Sequence, residues 1–156
     1  MKKIILISLA LVLSFSAFSQ TEGFGLGAQI GTSVDFTVKL WMSEKMALAA
    51  ATGFEYLSYG GFHVTGDLLF HNWTFDVAED QMKVYFGPGL GLGVYLGAYY
   101  YSSNVWMTLR APGGVGYYFH SMPLEAFVEV APGLDLFGPW GVDFRWGSYV
   151  GARWYF

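Results

Sequence analysis

This sequence predicts an all-β fold, an eight-stranded antiparallel up-and-down barrel that crosses a membrane, and three observations predict it. Apolar and polar residues alternate along nearly the whole chain after residue 20, which is the period-2 signature of strands. Hydrophobic residues make up 54% of the chain and charged residues only 13%, against about 25% charged in ordinary soluble domains. Past the first 19 residues no apolar run is long enough for a spanning helix, which needs about 18 residues. A closed barrel is the other structure that satisfies its backbone inside lipid.

The 156 residues suffice for one domain. Lys2 and Lys3 precede an apolar run from Ile4 to Phe15, and Ala17-Phe18-Ser19 puts small residues before Gln20. This is the layout of a secretory signal peptide. Residues 1–19 are therefore expected to be removed and residues 20–156 to form the barrel. Without Lys2 and Lys3, six basic residues face twelve acidic ones, a net charge of −6. That balance argues against nucleic acid as a partner, because phosphate needs a basic face. The chain has no cysteine, hence no disulfide framework and no thiol chemistry.

The expected strands follow in order. The first, 23–31, and the third, 46–58, place mostly Gly and Ala on one face, Gly25 and Gly27 among them, and Glu55 lies on that face of the third. The second, 34–42, sets Asp35, Thr37, Lys39 and Trp41 against Val34, Phe36, Val38 and Leu40. The fourth, 61–73, sets His63, Thr65, Asp67 and His71 against Phe62, Val64, Leu68 and Phe70. In the fifth, 82–98, Lys83, Tyr85, Gly87, Gly89, Gly91, Gly93 and Tyr95 oppose Val84, Phe86, Pro88, Leu90, Leu92 and Val94. The sixth, 104–119, opposes Trp106, Thr108, Arg110 and Tyr118 to Val105, Met107, Leu109 and Val115. The seventh, 123–136, opposes Glu125, Phe127, Glu129 and Asp135 to Leu124, Val128, Val130 and Leu134. The eighth, 140–156, opposes Asp143, Arg145, Tyr149 and Arg153 to Phe144, Trp146, Val150 and Trp154. Turn residues separate them: Thr32-Ser33, Ser43-Glu44-Lys45, Tyr59-Gly60, Asp76 to Gln81, Ser102-Ser103, His120-Ser121 and Gly138-Pro139.

All strand charges thus fall on one face. Bulky apolar residues on every opposite face exceed what an eight-stranded lumen holds, whereas Gly, Ala and a few large polar groups suit it. The apolar side is therefore expected to face lipid. Trp73, Tyr99, Tyr100, Tyr101, Trp140, Trp154 and Phe156 lie near strand ends, as interfacial girdles do.

The last residues, Tyr149-Val-Gly-Ala-Arg-Trp-Tyr-Phe156, resemble the terminal recognition signal of outer-membrane proteins. Phe156 ends the chain, Trp154 stands two before it, and Gly151 lies upstream. The resemblance implies that barrel-assembly machinery reads this strand. The whole pattern resembles the small eight-stranded outer-membrane proteins of the A and X type. The segments at 39–43, 63–73, 109–119, 123–136 and 151–156 are similar to an uncharacterised family of small barrels that includes spirochaete surface proteins. The resemblance implies a bacterial outer-membrane location, with membrane lipid as surroundings. Some spirochaete relatives are thought to bind host serum regulators.

The inward charges are Asp35, Lys39, Glu55, Asp67, Lys83, Arg110, Glu125, Glu129, Asp135, Asp143, Arg145 and Arg153, with His63 and His71. Buried charges must be paired and hydrogen-bonded, so a network that plugs the lumen is expected. The glycines leave room for it: Arg145 and Arg153 are expected to reach over the first strand and Arg110 over the fifth. The expected role is structural or surface interaction by a monomer, with no catalytic site, cofactor or metal. One alternative is a narrow ion or proton path. Another is a soluble lipocalin-type barrel holding a hydrophobic ligand among Leu90, Leu92, Val128 and Val130. An enzyme needs a nucleophile beside a base. His63, Asp67 and His71 are spaced too far along one strand for that, and His120 and Ser121 point to opposite faces. Gly23-Phe-Gly-Leu-Gly-Ala28 has the letters of a dinucleotide fingerprint, but its alternating glycines suit a strand.

Deleting Phe156 is expected to lower the amount of chain assembled into the outer membrane. Membrane fractionation checks this, and normal assembly of the truncated chain would overturn the recognition-signal reading.

Overall fold

The computed structural model describes residues 23–56, 60–96, 105–138 and 141–156. Over them the chain is all-β, without a helix, and its ten strands form one antiparallel sheet. The strands are β1 (Phe24–Gly31), β2 (Ser33–Ser43), β3 (Met46–Glu55), β4 (Gly61–Val77), β5 (Asp80–Phe86), β6 (Gly89–Tyr95), β7 (Val105–Arg110), β8 (Gly113–Tyr118), β9 (Leu124–Phe137) and β10 (Asp143–Tyr155). Neighbours in sequence pair from β1 through β4. β4 then pairs with both β5 and β6. β5 pairs with β8, β6 with β7, and β7 and β8 both pair with β9. β10 pairs with β9 on one side and with β1 on the other. The expected signal peptide, Tyr99 to Tyr101 and Trp140 lie outside the described residues, as do Tyr59, Ser102-Ser103 and Pro139 of the expected turns.

Two expected strands are each divided, both at a Pro with the residue before it. The fifth becomes β5 and β6, parted at Gly87-Pro88, and the sixth becomes β7 and β8, parted at Ala111-Pro112. Proline has no N–H to give the ladder. Its carbonyl still accepts. Leu68 N–H donates to Pro88 O at 2.9 Å, Gly87 N–H to Pro112 O at 2.9 Å, and Ala111 N–H to Pro132 O at 2.8 Å. The interruptions therefore lie side by side, and backbone pairing continues through them.

The fourth strand is longer than its alternation suggests. Phe70 and Trp73 are both outward, yet three residues apart, so strict alternation fails between them. A bulge at Asn72 absorbs the extra residue: His71 pairs with Tyr85 and Trp73 with Val84. The outward row then continues through Phe75 to Val77. The turn shrinks to Ala78-Glu79, with Ala78 at a left-handed φ of 58°. The expected turn from Asp76 to Gln81 is thus mostly strand. Ser33 likewise belongs to β2, leaving Thr32 alone between β1 and β2.

Burial alternates along the strands, with apolar side chains on the exposed face and charged ones on the buried face. The exposed face carries Phe36 (78% exposed), Phe144 (63%), Val128 (58%) and Phe62 (56%). The buried face carries Lys39, Glu125 and Arg153, none more than 2% exposed. Glycine makes room for them. Gly27 sits in register between Thr37 of β2 and Arg153 of β10, and a Cβ there would collide with the backbone carbonyl of Ala152.

Gly27→Val is therefore expected to destabilise the fold by about 1–3 kcal/mol through overpacking. Gly66→Val, on the exposed face with open space around it, is expected to be neutral. Denaturant midpoints of the two variants check this.

Candidate functional site

The candidate site is the buried face itself, where three groups of charges follow one another along the strands. The first lies at the end where β1 starts and β10 finishes. Glu125 is fully buried and accepts four hydrogen bonds. Lys39 Nζ donates to Oε1 at 2.9 Å, Tyr118 Oη to Oε1 at 2.9 Å, Tyr155 Oη to Oε2 at 2.6 Å, and Arg153 Nη1 to Oε2 at 3.3 Å. Lys39 also donates to Tyr118 Oη at 2.8 Å. Arg153 passes over Gly27 and donates twice to Thr37 Oγ1, at 3.1 and 3.0 Å. Its guanidinium carbon stacks 3.8 Å from the Phe127 ring centre. Lys83 rests 5.0 Å from Trp41 and 5.3 Å from Tyr118, a cation held over aromatic faces. His71 lies against Trp41, ring centres 4.3 Å apart.

The middle group centres on Arg110. Its Nε lies 3.1 Å from Asp67 Oδ1, and its Nη2 donates to Glu129 Oε1 at 2.9 Å. The second oxygen of Glu129 accepts from Tyr85 Oη at 3.0 Å. Gly89 stands in register between Asp67 and Arg110, and a Cβ on it would strike the Asp67 carboxylate. Gly114 stands likewise between Tyr85 and Glu129; a Cβ there would lie 2.6 Å from Tyr85 Oη.

The third group lies at the opposite end. Arg145 donates from Nε and Nη2 to Asp135 at 2.9 and 2.8 Å, a bidentate pair. Its Nη1 donates to Glu55 at 3.0 Å, and its guanidinium lies 4.0 Å from the Trp106 ring centre. Thr108 donates to Asp135. Nearby, Asp35 accepts from Gln29 Nε2 and Ser33 Oγ, both at 2.8 Å, and its other oxygen lies 3.3 Å from His63 Nε2. Gly53 separates Asp35 from His63 in register, and a Cβ there would strike Asp35 Oδ1.

Thirteen of the fourteen expected inward charges and histidines are packed into this face, and one is not. Asp143 is exposed, at the first position of β10, where its carboxylate accepts from the N–H of Phe144 at 2.8 Å. β10 there extends past β1, which ends opposite Tyr149, so alternation places Asp143 beyond the packed part of the face. Arg145 also departs from expectation. It turns to Asp135 and Glu55 rather than over β1, because it too lies past the end of β1. The expected assembly residues lie along β10 and just beyond it. Gly151 sits between Gln29 and Phe127 in register, Trp154 is 44% exposed, and Phe156 N–H donates to Phe24 O at 3.0 Å.

Sequence reasoning named the charges but did not name as their partners the neutral groups that hold them: Tyr85, Tyr118, Tyr155, Thr37, Gln29, and the rings of Trp106 and Phe127. The available signal was parity, since each lies at the same alternate position as the charges it meets.

The chemistry open to this face is limited by its order. Ser33, Asp35 and His63 meet, but the carboxylate lies between the hydroxyl and the imidazole. A nucleophile needs the base beside it, so this trio orients groups without activating one. Among the described residues no three His, Cys, Asp or Glu side chains converge as metal ligands. A half-open cavity of about 30 Å³ lies at the third group, lined by Ser33, Glu55, His63, Thr65, Trp106 and Arg145 among others. That is space for a few waters at about 10–15 Å³ each. The chain matches no protein-family model, no curated protein and no solved structure.

Glu125→Ala is expected to cost roughly 3–5 kcal/mol, because it leaves Lys39 and Arg153 buried without the carboxylate that they bond. Glu44→Ala, in the exposed turn before β3, is expected to cost less than about 0.5 kcal/mol. Equilibrium unfolding of both variants checks the contrast.

Proposed function

We propose that this chain is an integral bacterial outer-membrane β-barrel, plugged by its charge network, with a structural or surface-interaction role. One observation carries the reading: the exposed face is apolar all along the sheet while the charges are buried. In water that arrangement would leave a large apolar surface uncovered. In lipid it is the favourable one, since an apolar band faces the acyl chains and charges pair inside. The pairing of β10 with both β9 and β1 supports a ring. Counting β5 with β6 and β7 with β8 as single interrupted strands gives eight, the number whose interior side chains just fill. Exposed Trp73, Trp146 and Trp154 suit an interfacial girdle.

The plug supports a silent lumen. Arg110, Asp67 and Glu129 lie across its middle, each no more than 7% exposed at the side chain. The lipocalin-type reading requires Leu90, Leu92, Val128 and Val130 to line an interior, yet they are 49%, 48%, 58% and 43% exposed.

Chain refolded into vesicles of brominated lipid is expected to lose tryptophan emission, and Trp73→Phe, Trp146→Phe and Trp154→Phe together are expected to relieve most of the quenching. Unquenched emission would overturn membrane insertion. In planar bilayers the same protein is expected to pass no current. Discrete steps altered by Arg110→Ala would replace the plug with a narrow pore.

A further inference from the structure

Among the described residues, the sheet leaves a long backbone edge uncovered where β4 outruns β3. β3 begins at Met46, opposite Phe70, and the last bond from that side is His71 N–H to Lys45 O at 2.8 Å. β4 continues for six residues, Asn72 to Val77, paired with β5 alone among the described residues. All six are exposed, and at about 3.3 Å per residue they extend ~20 Å.

The hairpin is held firmly on its other side. β5 pairs with β8 from Gln81 to Phe86. Asp80, next to the turn, accepts from Tyr117 Oη at 2.6 Å and from His120 N–H at 2.7 Å. The two-residue turn makes Val77 and Asp80 the closing pair. Antiparallel pairs alternate between bonded and unbonded, so Phe75–Met82 and Trp73–Val84 are bonded and Thr74 and Asp76 turn their N–H and C=O outward. An added strand would meet two donors and two acceptors. Natural sheets blunt such edges or use them for strand addition.

Charge decides what kind of strand fits. Asp76, Glu79 and Asp80 lie at the tip, and Glu44 and Lys45 occupy the adjoining turn, four acids against one base. A basic segment complements this surface. A second copy is disfavoured: it would bring the same acidic tip against this one, and two barrels in one membrane run these edges in the same direction with their strands tilted, which prevents an antiparallel ladder. We propose that the β4 edge from Asn72 to Val77 docks a basic extended segment of another protein as an extra strand. The choice of a foreign segment over a second copy rests on the membrane-barrel reading.

The test uses the chain refolded in detergent micelles and a short synthetic peptide alternating lysine and valine, with a glutamate–valine peptide as control. Amide hydrogen exchange at Thr74 and Asp76 is expected to slow by about tenfold or more with the lysine peptide and to stay unchanged with the glutamate peptide. Thr74→Pro removes an outward N–H that β5 does not use, and is expected to weaken binding by about tenfold while heat-modifiable gel mobility persists. Asp76→Lys combined with Glu79→Lys is expected to reverse the preference between peptides. Unchanged exchange overturns the proposal. So does equal binding by Thr74→Pro, which would mean attraction to the acidic surface alone. So does full protection of both amides in the free chain, which would mean the chain's own residues cover the edge. Failure to insert into vesicles would sink the barrel reading instead, a separate result from an edge that stays bare in an inserted protein.

Discussion

A buried carboxylate has to be neutralised, and the rest of the buried face follows from how Glu125 meets that demand. It receives two cations and two phenols, from β2, β8 and β10. Removing water from a charge costs several kcal/mol after relaxation, and only good geometry with every lone pair engaged repays it. Glu129 and Asp135 repeat the solution with fewer partners, and Asp35 is met by Gln29, Ser33 and His63. Six carboxylates and five Lys or Arg side chains share the face among the described residues, so the network is close to neutral in itself.

Glycine is what lets these partners meet. On one face of a sheet, residues two strands apart are separated by the strand between. At Gly27, Gly53, Gly89 and Gly114 the intervening position has no side chain, and the flanking groups close over it. Arg153 reaches Thr37, His63 approaches Asp35, Arg110 reaches Asp67, and Tyr85 reaches Glu129. A strand of alternating glycines such as β6 therefore adds little packing of its own and makes contacts possible between its neighbours. The long aromatic and cationic side chains and the missing ones are two halves of one arrangement.

Much of this was legible in the sequence, and the reason is parity. With a period of two, a residue's face is set by counting, so the side taken by Lys39, Asp67, Glu125 and Arg153 follows from their positions in the chain alone. What parity cannot supply is the count of strands in register and the ends of each. Pro88 and Pro112 sit at alternating positions like any other residue, yet each withdraws a donor and divides a strand. Asn72 breaks the count by one, and only pairing with β5 shows that a bulge restores it. Asp143 and Arg145 share the inward parity, but β1 stops short of them, and strand length is not written in alternation. Partners across the face were equally hidden, since Lys39 and Glu125 are 86 residues apart.

That separation has a consequence in time. Arg145 joins Glu55 across 90 residues, and Arg153 joins Thr37 across 116. Contacts of such range form only after the entropy of closing the chain is overcome. Synthesis runs from the N-terminal side, so Thr37, Lys39 and Glu55 emerge long before the residues that complete their networks. No fragment ending ahead of Arg153 can satisfy Glu125 fully. The buried face is complete only once the residues of β10 have been made.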